Sequence, residues 1–285
     1  MFNIIEKRNI FFVISALIII AGIVGLVVHG GLNTDIDFSG GSEIYVNLNT
    51  DYNEDAVRSA LKGVVEISTI QKSGDTEATI RTSELSSEQR TAVSDALKKA
   101  FDKCEILSID NVSATVSSEL WSNAALSIIV TVLLMLIYIT FRFELLSGIS
   151  AVIALAHDMM VMISVYAIFN LSVNTSFIAA ILTILGYSIN ATIVVFDRVR
   201  ENTRFLRKVS FADIVNTSIW QTLGRSINTS VTTLITLVCL YILGVPSIRE
   251  FALPLIVGVV CGAYSSVFLA GQFWVLFKGK NAKNA

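Results

Sequence analysis

The sequence predicts a multi-spanning α-helical membrane protein with a folded α+β module between its first two membrane helices. Its 285 residues are 53% hydrophobic and only 15% charged, whereas soluble domains carry about 25% charged residues. The apolar residues form six long runs, and one long polar segment separates the first run from the second. This composition excludes a soluble enzyme and a disordered chain.

Each apolar run is long enough to form a membrane helix. A helix needs about 20 residues to cross a hydrocarbon core of about 30 Å, and flanking residues can supply a missing turn. Asp158 is the one charged residue within the runs. The last five runs make up a membrane domain at 124–277. The six predicted helices cover residues 10–28, 124–141, 147–169, 175–195, 227–243 and 251–277.

Basic residues in the short connecting segments predict the orientation, because cytoplasmic segments carry an excess of Lys and Arg. On the opposite side the short segments contain only Arg249. Both termini are therefore predicted to be cytoplasmic, with residues 1–28 as N-terminus and first helix, a loop at 196–226, and residues 278–285 as the tail. The basic residues on the predicted cytoplasmic side are Lys7, Arg8, Arg142, Arg198, Arg200, Arg204, Arg207, Lys208, Arg225, Lys278, Lys280 and Lys283.

The first run could be mistaken for a secretory signal, because Lys7 and Arg8 precede it. A cleavable signal has a shorter apolar region and small residues in an A-x-A pattern at the cleavage site. The segment Val27-Val28-His29-Gly30 lacks that pattern. We expect this helix to be retained as a membrane anchor.

Residues 29–123 are predicted to form an external aqueous module, because they contain 16 acidic and 8 basic residues. The order of its elements, β-α-β-β-α-β, is that of a ferredoxin-like unit. No metal-binding or catalytic cluster is present in its sequence. The predicted elements are a strand at 43–48, a helix at 57–64, two strands at 66–71 and 77–82 around a turn at 73–75, a helix opened by a capping box of Ser86 and Gln89, and a strand at 105–116.

Two consecutive glycines, Gly40 and Gly41, lie where the first helix leads into the module. Glycine permits positive φ and close backbone approach. A structural turn explains the pair most simply. The functional alternative is a hinge for movement of the module.

The carboxyl group of Asp158 lies near the middle of the third run, next to His157. A charged residue at a helix centre costs roughly 2.5–3.5 kcal/mol on insertion scales, so its presence suggests a partner or an ion pathway. The carboxyl group could serve packing alone, either protonated or paired. We favour a functional role, because burial favours the neutral carboxyl and makes reversible protonation feasible.

Further polar residues lie in the fourth and fifth helices. Because these helices are antiparallel, Asn190, Ala191 and Arg225 can meet in the cytoplasmic half. Hydroxyl groups at such spacing also hold helices together by hydrogen bonds, which is the better explanation for the hydroxyls alone. In the sixth helix, Gly258 and Gly262 form a small-xxx-small face that predicts close helix packing. The residues predicted for proton relay and coupling are Arg225, Asn228, Asn190, Ala191, Thr192 and Asp158.

The segment GYSINATIVVFDRVREN at residues 186–202 resembles the fourth-helix signature of the SecF family, subunits of the bacterial protein-export machinery. One helix, an external module and five more helices also resemble half of a transporter of the RND superfamily. The following segments fall where SecF has similar motifs: Ile36–Gly41, Phe141–Glu144, Ala154–Asp158, Arg225–Ser230 and Tyr264–Ser266.

This resemblance implies a function in protein export. It implies pairing with SecD into a twelve-helix assembly that joins the SecYEG channel, often with YajC, in the bacterial cytoplasmic membrane. That assembly uses the proton motive force to promote late steps in the translocation of unfolded preprotein. The alternative is an RND-type proton-coupled exporter of small molecules or lipids, against which the small single module and the six helices argue.

Other classes of function find no support in the sequence. It has no Walker phosphate loop, no HExxH and no GxSxG motif, so no enzymatic activity, cofactor or metal is predicted. Topology already explains the cytoplasmic basic residues, and no aromatic platform accompanies them, so no nucleic-acid binding is predicted. The lipid bilayer is the remaining partner.

One position departs from the family pattern. The signature reads Asn-Asp-Thr, whereas this chain has Asn190, Ala191 and Thr192. The resemblance assigns proton movement to the missing carboxyl and to a helix-five arginine that matches Arg225. Either a natural protein has shifted the role to Asp158 or to SecD, or the alanine was introduced on purpose. Without an acid at 191, Arg225 is expected to turn to Asp158, to cytoplasmic water or to a carboxylate of the partner.

Overall fold

The computed structural model divides into two compact units. The first comprises Met1–Asn33 and Ala125–Ala285, and the second comprises Thr34–Ala124. The structure describes residues 3–73, 76–206 and 209–281. In chain order, the elements are α1 (Arg8–His29), α2 (Ile36–Ser39), β1 (Gly41–Asn47), α3 (Glu54–Ala60), β2 (Ile67–Ser73), β3 (Glu77–Thr82), α4 (Ser87–Ala100), β4 (Glu105–Val112), α5 (Ala114–Arg142), α6 (Leu145–Ile168), α7 (Thr175–Phe205), α8 (Phe211–Leu243), α9 (Pro246–Phe268) and α10 (Ala270–Asn281).

Some features of the sequence lie outside the described residues. Gly74 and Asp75 of the turn predicted at 73–75 are not described. The same holds for the basic residues Arg207, Lys208 and Lys283.

Long apolar helices dominate the first unit. Within the described residues, six helical segments are long and apolar enough to cross a membrane. Five of them are α1, α5, α6, α7 and α8, and α9 with α10 supplies the sixth. Five of them contain a predicted apolar run, and α6 ends one residue before the run at 147–169 does, so the prediction of a multi-spanning helical membrane protein is confirmed.

The helices α7 and α8 extend well beyond their apolar runs. The segment predicted as a loop at 196–226 is mostly helical, because α7 continues to Phe205 and α8 begins at Phe211. Polar side chains pair along these extensions: Arg198 donates to Glu201 and to Gln221, each at 2.6 Å. The pair of Arg198 and Glu201 lies one turn apart on α7, and such pairs stabilise a helix. The prediction of a loop, which rested on the polarity of this segment, was therefore wrong.

Glycines bring α9 against α7. A Cβ at Gly258 would collide with the side chain of Ile184, and one at Gly262 would lie 3.0 Å from the Cβ of Ser188. The close packing expected from these two glycines is confirmed. Its consequence is that polar groups of α7 and α9 face each other at short range.

The second unit contains a four-stranded antiparallel sheet with strand order β2-β3-β1-β4. The capping box predicted at the start of α4 is confirmed. Ser86 Oγ accepts from the amide of Gln89 at 3.3 Å, and Ser86 N–H donates to the Gln89 side chain at 2.9 Å. Side chains of α3 and α4 cover one face of the sheet. The core consists of Ile44, Val46, Leu48, Tyr52, Val57, Leu61, Ile70, Ala78, Ile80, Leu85, Val93 and Leu97.

The last strand of this unit is shorter than predicted. It ends at Val112, and α5 already begins at Ala114. The apolar and β-branched residues of the 113–116 segment suit a helix as well as a strand, and the helix continues directly into the next apolar run. The predicted end of the strand at 116 was therefore wrong.

Candidate functional site

A buried carboxylate lies among the membrane helices. Asp158 on α6 is 1% exposed. Its Oδ2 accepts hydrogen bonds from Ser188 Oγ of α7 at 2.6 Å and from Ser265 Oγ of α9 at 2.8 Å. Its Oδ1 lies 3.2 Å from Nδ1 of His157. Three helices thus supply partners to one carboxyl group.

The imidazole of His157 extends this cluster to α1. Its Nε2 lies 2.9 Å from Ser15 Oγ, which in turn lies 3.5 Å from the hydroxyl of Tyr264. The Tyr264 hydroxyl donates to the carbonyl of Phe11 at 2.8 Å. A continuous chain of hydrogen bonds therefore joins α7 and α9 through Asp158 and His157 to α1.

Each ring nitrogen of His157 can act as donor or acceptor, depending on the tautomer. With the hydrogen on Nδ1, His157 donates to Asp158 Oδ1, and Ser15 can donate to Nε2. In that arrangement every polar side-chain atom of the pair has a partner within the chain.

A second polar region lies between α7 and α8. A cavity of about 1040 Å³ has Asn190, Thr222 and Arg225 in its lining, together with charged residues at the end of α7. Arg225 is exposed on this chain and, among the residues that the structure describes, its guanidinium has no hydrogen bond or ion pair. The guanidinium thus faces an open, polar cavity.

The six residues predicted for proton relay fall into two groups. Asn190 and Arg225 line the same cavity, as their antiparallel helices allow. Ala191, Thr192 and Asn228 do not line it, and Thr192 is buried. Within the described parts of the chain, no hydrogen bond or ion pair joins Asp158 to Arg225. Arg225 was expected to turn to Asp158, to cytoplasmic water or to a carboxylate of a partner. This structure does not pair it with Asp158, so water and a second protein stay as predictions.

The polar cavity is part of a longer polar stripe on α8. Gln221, Arg225, Asn228 and Thr232 are all exposed, and their spacing of three or four residues places them on one face of the helix. Asn190 of α7 is exposed as well. Gln221 accepts hydrogen bonds from Arg198 and Asn202, whereas the side chains of Arg225 and Asn228 have no polar partner among the described residues.

The family of the chain follows from its sequence. The family model described as "Protein export membrane protein SecD/SecF, C-terminal" matches residues 92–280. The chain belongs to the SecD/SecF family. It is a multi-pass membrane protein, as its six long apolar helices already indicate.

Relatives that match nearly the whole of this SecD/SecF chain carry the name protein translocase subunit. The subunit SecF of Acidaminococcus fermentans is 38% identical over 98% of this chain and 98% of its own length. The subunit SecDF of Bacillus subtilis is 37% identical over 98% of this chain, which spans 38% of that longer protein. The crystal structure of SecDF from Thermus thermophilus, described as translocon-associated, has a TM-score of 0.90 at 32% identity and covers 98% of this chain, which spans 39% of it.

Several groups of the buried cluster in this SecD/SecF chain carried no role in the sequence reasoning. They are the hydroxyls of Ser15, Ser188, Tyr264 and Ser265. Each of these residues lies in an apolar run, so the sequence predicted that it is helical but not which way its side chain faces. Their positions facing His157 or Asp158 depend on how α1, α7 and α9 pack. The family resemblance included Ser188, Tyr264 and Ser265 in its motifs without giving them a role, and a lone serine in an apolar run was the signal for Ser15.

The two glycines predicted as a hinge both have positive φ, 72° for Gly40 and 117° for Gly41. A Cβ at Gly41 would collide with the carbonyl oxygen of Thr82. Gly40 ends α2 and Gly41 begins β1. The pair therefore forms a turn that other residues would strain, and the hinge stays a prediction.

Proposed function

We propose that this chain is a subunit of the bacterial Sec preprotein translocase that pairs with SecD and uses the proton motive force to promote late steps of export. The names of its relatives support protein export, since they are translocase subunits. In SecDF the region similar to this chain is joined to a further segment in one polypeptide. That arrangement supports SecD as the partner. SecYEG, YajC and unfolded preprotein complete the proposed assembly.

The proposed location is the cytoplasmic membrane, with both termini in the cytoplasm and the α+β unit outside. The distribution of basic residues supports this orientation. The strand order β2-β3-β1-β4 and the two helices on one face support a ferredoxin-like class for that unit. In this arrangement the chain forms one half of a twelve-helix assembly.

The observation that carries the proposal is the exposed polar stripe on α8. Among the described residues the guanidinium of Arg225 has no partner, and Asn228 and Thr232 would meet lipid if this chain stood alone. Charged and amide groups facing hydrocarbon are costly, and in membrane proteins they usually face a bundle interior or a water-filled cavity. A second helical subunit with polar groups would cover the stripe and supply an anionic partner for Arg225.

Proton coupling is proposed to involve both polar regions. Asp158 is the proposed proton carrier inside the helix bundle, and the cavity at Arg225 is the proposed access from the cytoplasmic end of α7. Ala191 has no side-chain group that binds protons. A carboxyl group at this position would lie on the same helix as Asn190, one residue from the cavity lining.

The substitution Ala191→Asp tests this function. In cells whose export depends on this copy, we expect Ala191→Asp to raise secretion that requires a proton gradient, because it returns a titratable carboxyl to the side of Arg225. The matched control is Ala191→Asn, which has a similar size but binds no proton. Equal secretion with alanine, asparagine and aspartate would reject proton coupling at this position.

A separate measurement tests membership of the translocase. We expect the chain to co-purify with SecD and SecYEG from membranes solubilised in mild detergent. Proton-driven efflux of small molecules by the reconstituted chain, without SecD in the complex, would support the RND-type exporter instead.

A further inference from the structure

A second, smaller cavity of about 270 Å³ lies among aromatic and basic side chains at one end of the membrane helices. Three cations line it, Arg200, Arg204 and Lys278, together with one carboxylate, Glu144. The rings of Phe211 and Trp274 form part of its wall. This cavity shares Arg200 and Arg204 with the cavity at Arg225, but none of the predicted relay residues lines it.

The position of the cavity follows from where its helices begin and end. Glu144 directly precedes α6, Arg204 lies at the end of α7, and Phe211 begins α8. Lys278 lies in the last helix, at the end of the sixth span. Because successive spans alternate in direction, these four ends lie at the same membrane surface.

The positive charges around the cavity exceed the negative ones. Glu144 Oε1 accepts from Trp274 Nε1 at 2.6 Å and from Lys278 Nζ at 3.2 Å. Arg200 donates to the main-chain carbonyl of Arg142, at 3.3 Å, which leaves its charge uncompensated. The guanidinium of Arg204 has no hydrogen bond or ion pair among the residues that the structure describes. An anion at this site would meet two guanidinium groups that have no carboxylate partner in the cavity.

Apolar surface lies directly beside the basic groups. Phe205, next to Arg204, is 77% exposed, and Leu145, next to Glu144, is 57% exposed. The Lys278 ammonium lies 4.4 Å from the ring centroid of Phe211. Trp, Lys and Arg at a membrane surface typically lie at the level of lipid headgroups, and basic pockets between membrane helices bind acidic headgroups.

We propose that this cavity binds the phosphate of an acidic membrane phospholipid, with the acyl chains along the exposed apolar side chains of α6 and α7. The guanidinium groups of Arg200 and Arg204 contact the phosphate, and the Trp274 side of the cavity packs against the glycerol region. This site goes beyond the export function, because it needs only a membrane and no partner protein.

Binding of phosphatidylglycerol to the full chain in detergent, measured by native mass spectrometry, tests the site. We expect retention of phosphatidylglycerol in preference to phosphatidylcholine. Arg204→Gln should lower this binding by about fivefold or more, as expected for loss of one contacting charge. Arg204 is exposed and unpaired among the described residues, so this variant should fold normally. Arg204→Lys, which keeps the charge, should restore most of the binding.

The matched control is Arg8→Gln, which removes an exposed cation at the start of α1 that does not line the cavity. We expect it to leave binding unchanged within about twofold, since only diffuse surface attraction is lost. An equal loss in Arg8→Gln and Arg204→Gln would overturn the proposal in favour of diffuse attraction. Equal retention of phosphatidylcholine, or displacement of the lipid by inorganic phosphate, would also overturn a lipid site.

Discussion

Asp158 and Arg225 lie in two regions of the same helical bundle and have opposite surroundings. Asp158 is buried and accepts hydrogen bonds from two serines, beside a histidine. Arg225 is exposed beside an open cavity, and no partner for it lies in the described residues. The chain therefore completes one polar site by itself and leaves the other open. We propose that the first site stabilises the fold and that the second serves assembly.

The largest expected effect is on Asp158. The substitution Asp158→Ala leaves His157, Ser188 and Ser265 without their shared acceptor in the bundle. Loss of one partner from a buried charged network costs about 3 kcal/mol or more. We expect a decrease of that size in the free energy of unfolding, measured in mixed micelles of mild detergent and dodecyl sulfate.

The corresponding change at the open site is Arg225→Gln. Because the guanidinium of Arg225 has no partner among the described residues, the free energy of unfolding should change by less than about 0.5 kcal/mol. Proton-dependent secretion should fall strongly in the same variant. Similar destabilisation by Arg225→Gln and Asp158→Ala would break the distinction between the two regions.

The close approach of α9 to α7 is the next target, since it holds Ser188 and Ser265 around Asp158. Gly258→Val should clash with the buried side chain of Ile184 and cost about 1–3 kcal/mol of unfolding free energy. The control is Gly186→Ala on α7, where an added Cβ meets nothing within 4 Å. That variant should be unchanged or up to about 1 kcal/mol more stable. Tolerance of valine at 258 would show that the helices can separate without cost.

A single hydroxyl of the cluster gives a smaller effect. Ser265→Ala removes one donor to Asp158 and should cost about 1 kcal/mol. Ser266→Ala is its neighbour control, because the hydroxyl of Ser266 donates to the carbonyl of Ala263 in its own helix. The same unfolding measurement should show a loss only for Ser265→Ala. Equal decreases in both variants would mean that the loss of any hydroxyl from this helix, and not the loss of the hydrogen bond to Asp158, causes the destabilisation.

The smallest expected effect tests the burial of a thiol in the α+β unit. Burial raises the pKa of the Cys104 thiol, while the charge of Lys98 opposes that change. In a variant with Cys239→Ser and Cys261→Ala, alkylation of Cys104 should therefore reach half of its maximal rate at a pH above about 8.5, the value for a free thiol. A midpoint below that value would show that the positive charge dominates.

Sequence predicted the helices far better than the contacts between them. The six spans follow from length and polarity alone, and the strand Glu77–Thr82 was predicted with its observed bounds. The 196–226 loop was wrong because charged residues that pair along a helix look the same in sequence as charged residues in a loop.

The candidate site was predictable in part. A lone carboxyl in an apolar run identified Asp158, and antiparallel helices placed Asn190 near Arg225. The sequence did not predict that Asp158 and Arg225 would lie in separate regions. Nor did it predict that Ser15 of α1 would contact His157, since the two residues are 142 positions apart. Such contacts depend on helix rotation, which apolar runs leave undetermined.

The most direct test is whether a second subunit covers the open polar stripe. The photo-reactive residue p-benzoylphenylalanine would replace Asn228 on α8 or, as a control, Leu134 on the apolar, exposed surface of α5. In cells that also produce SecD, we expect irradiation to give a SecD adduct from position 228 and little or none from position 134. Adducts with lipid alone from position 228 would show that Arg225 and its stripe stay open in the membrane, and would contradict their role in assembly.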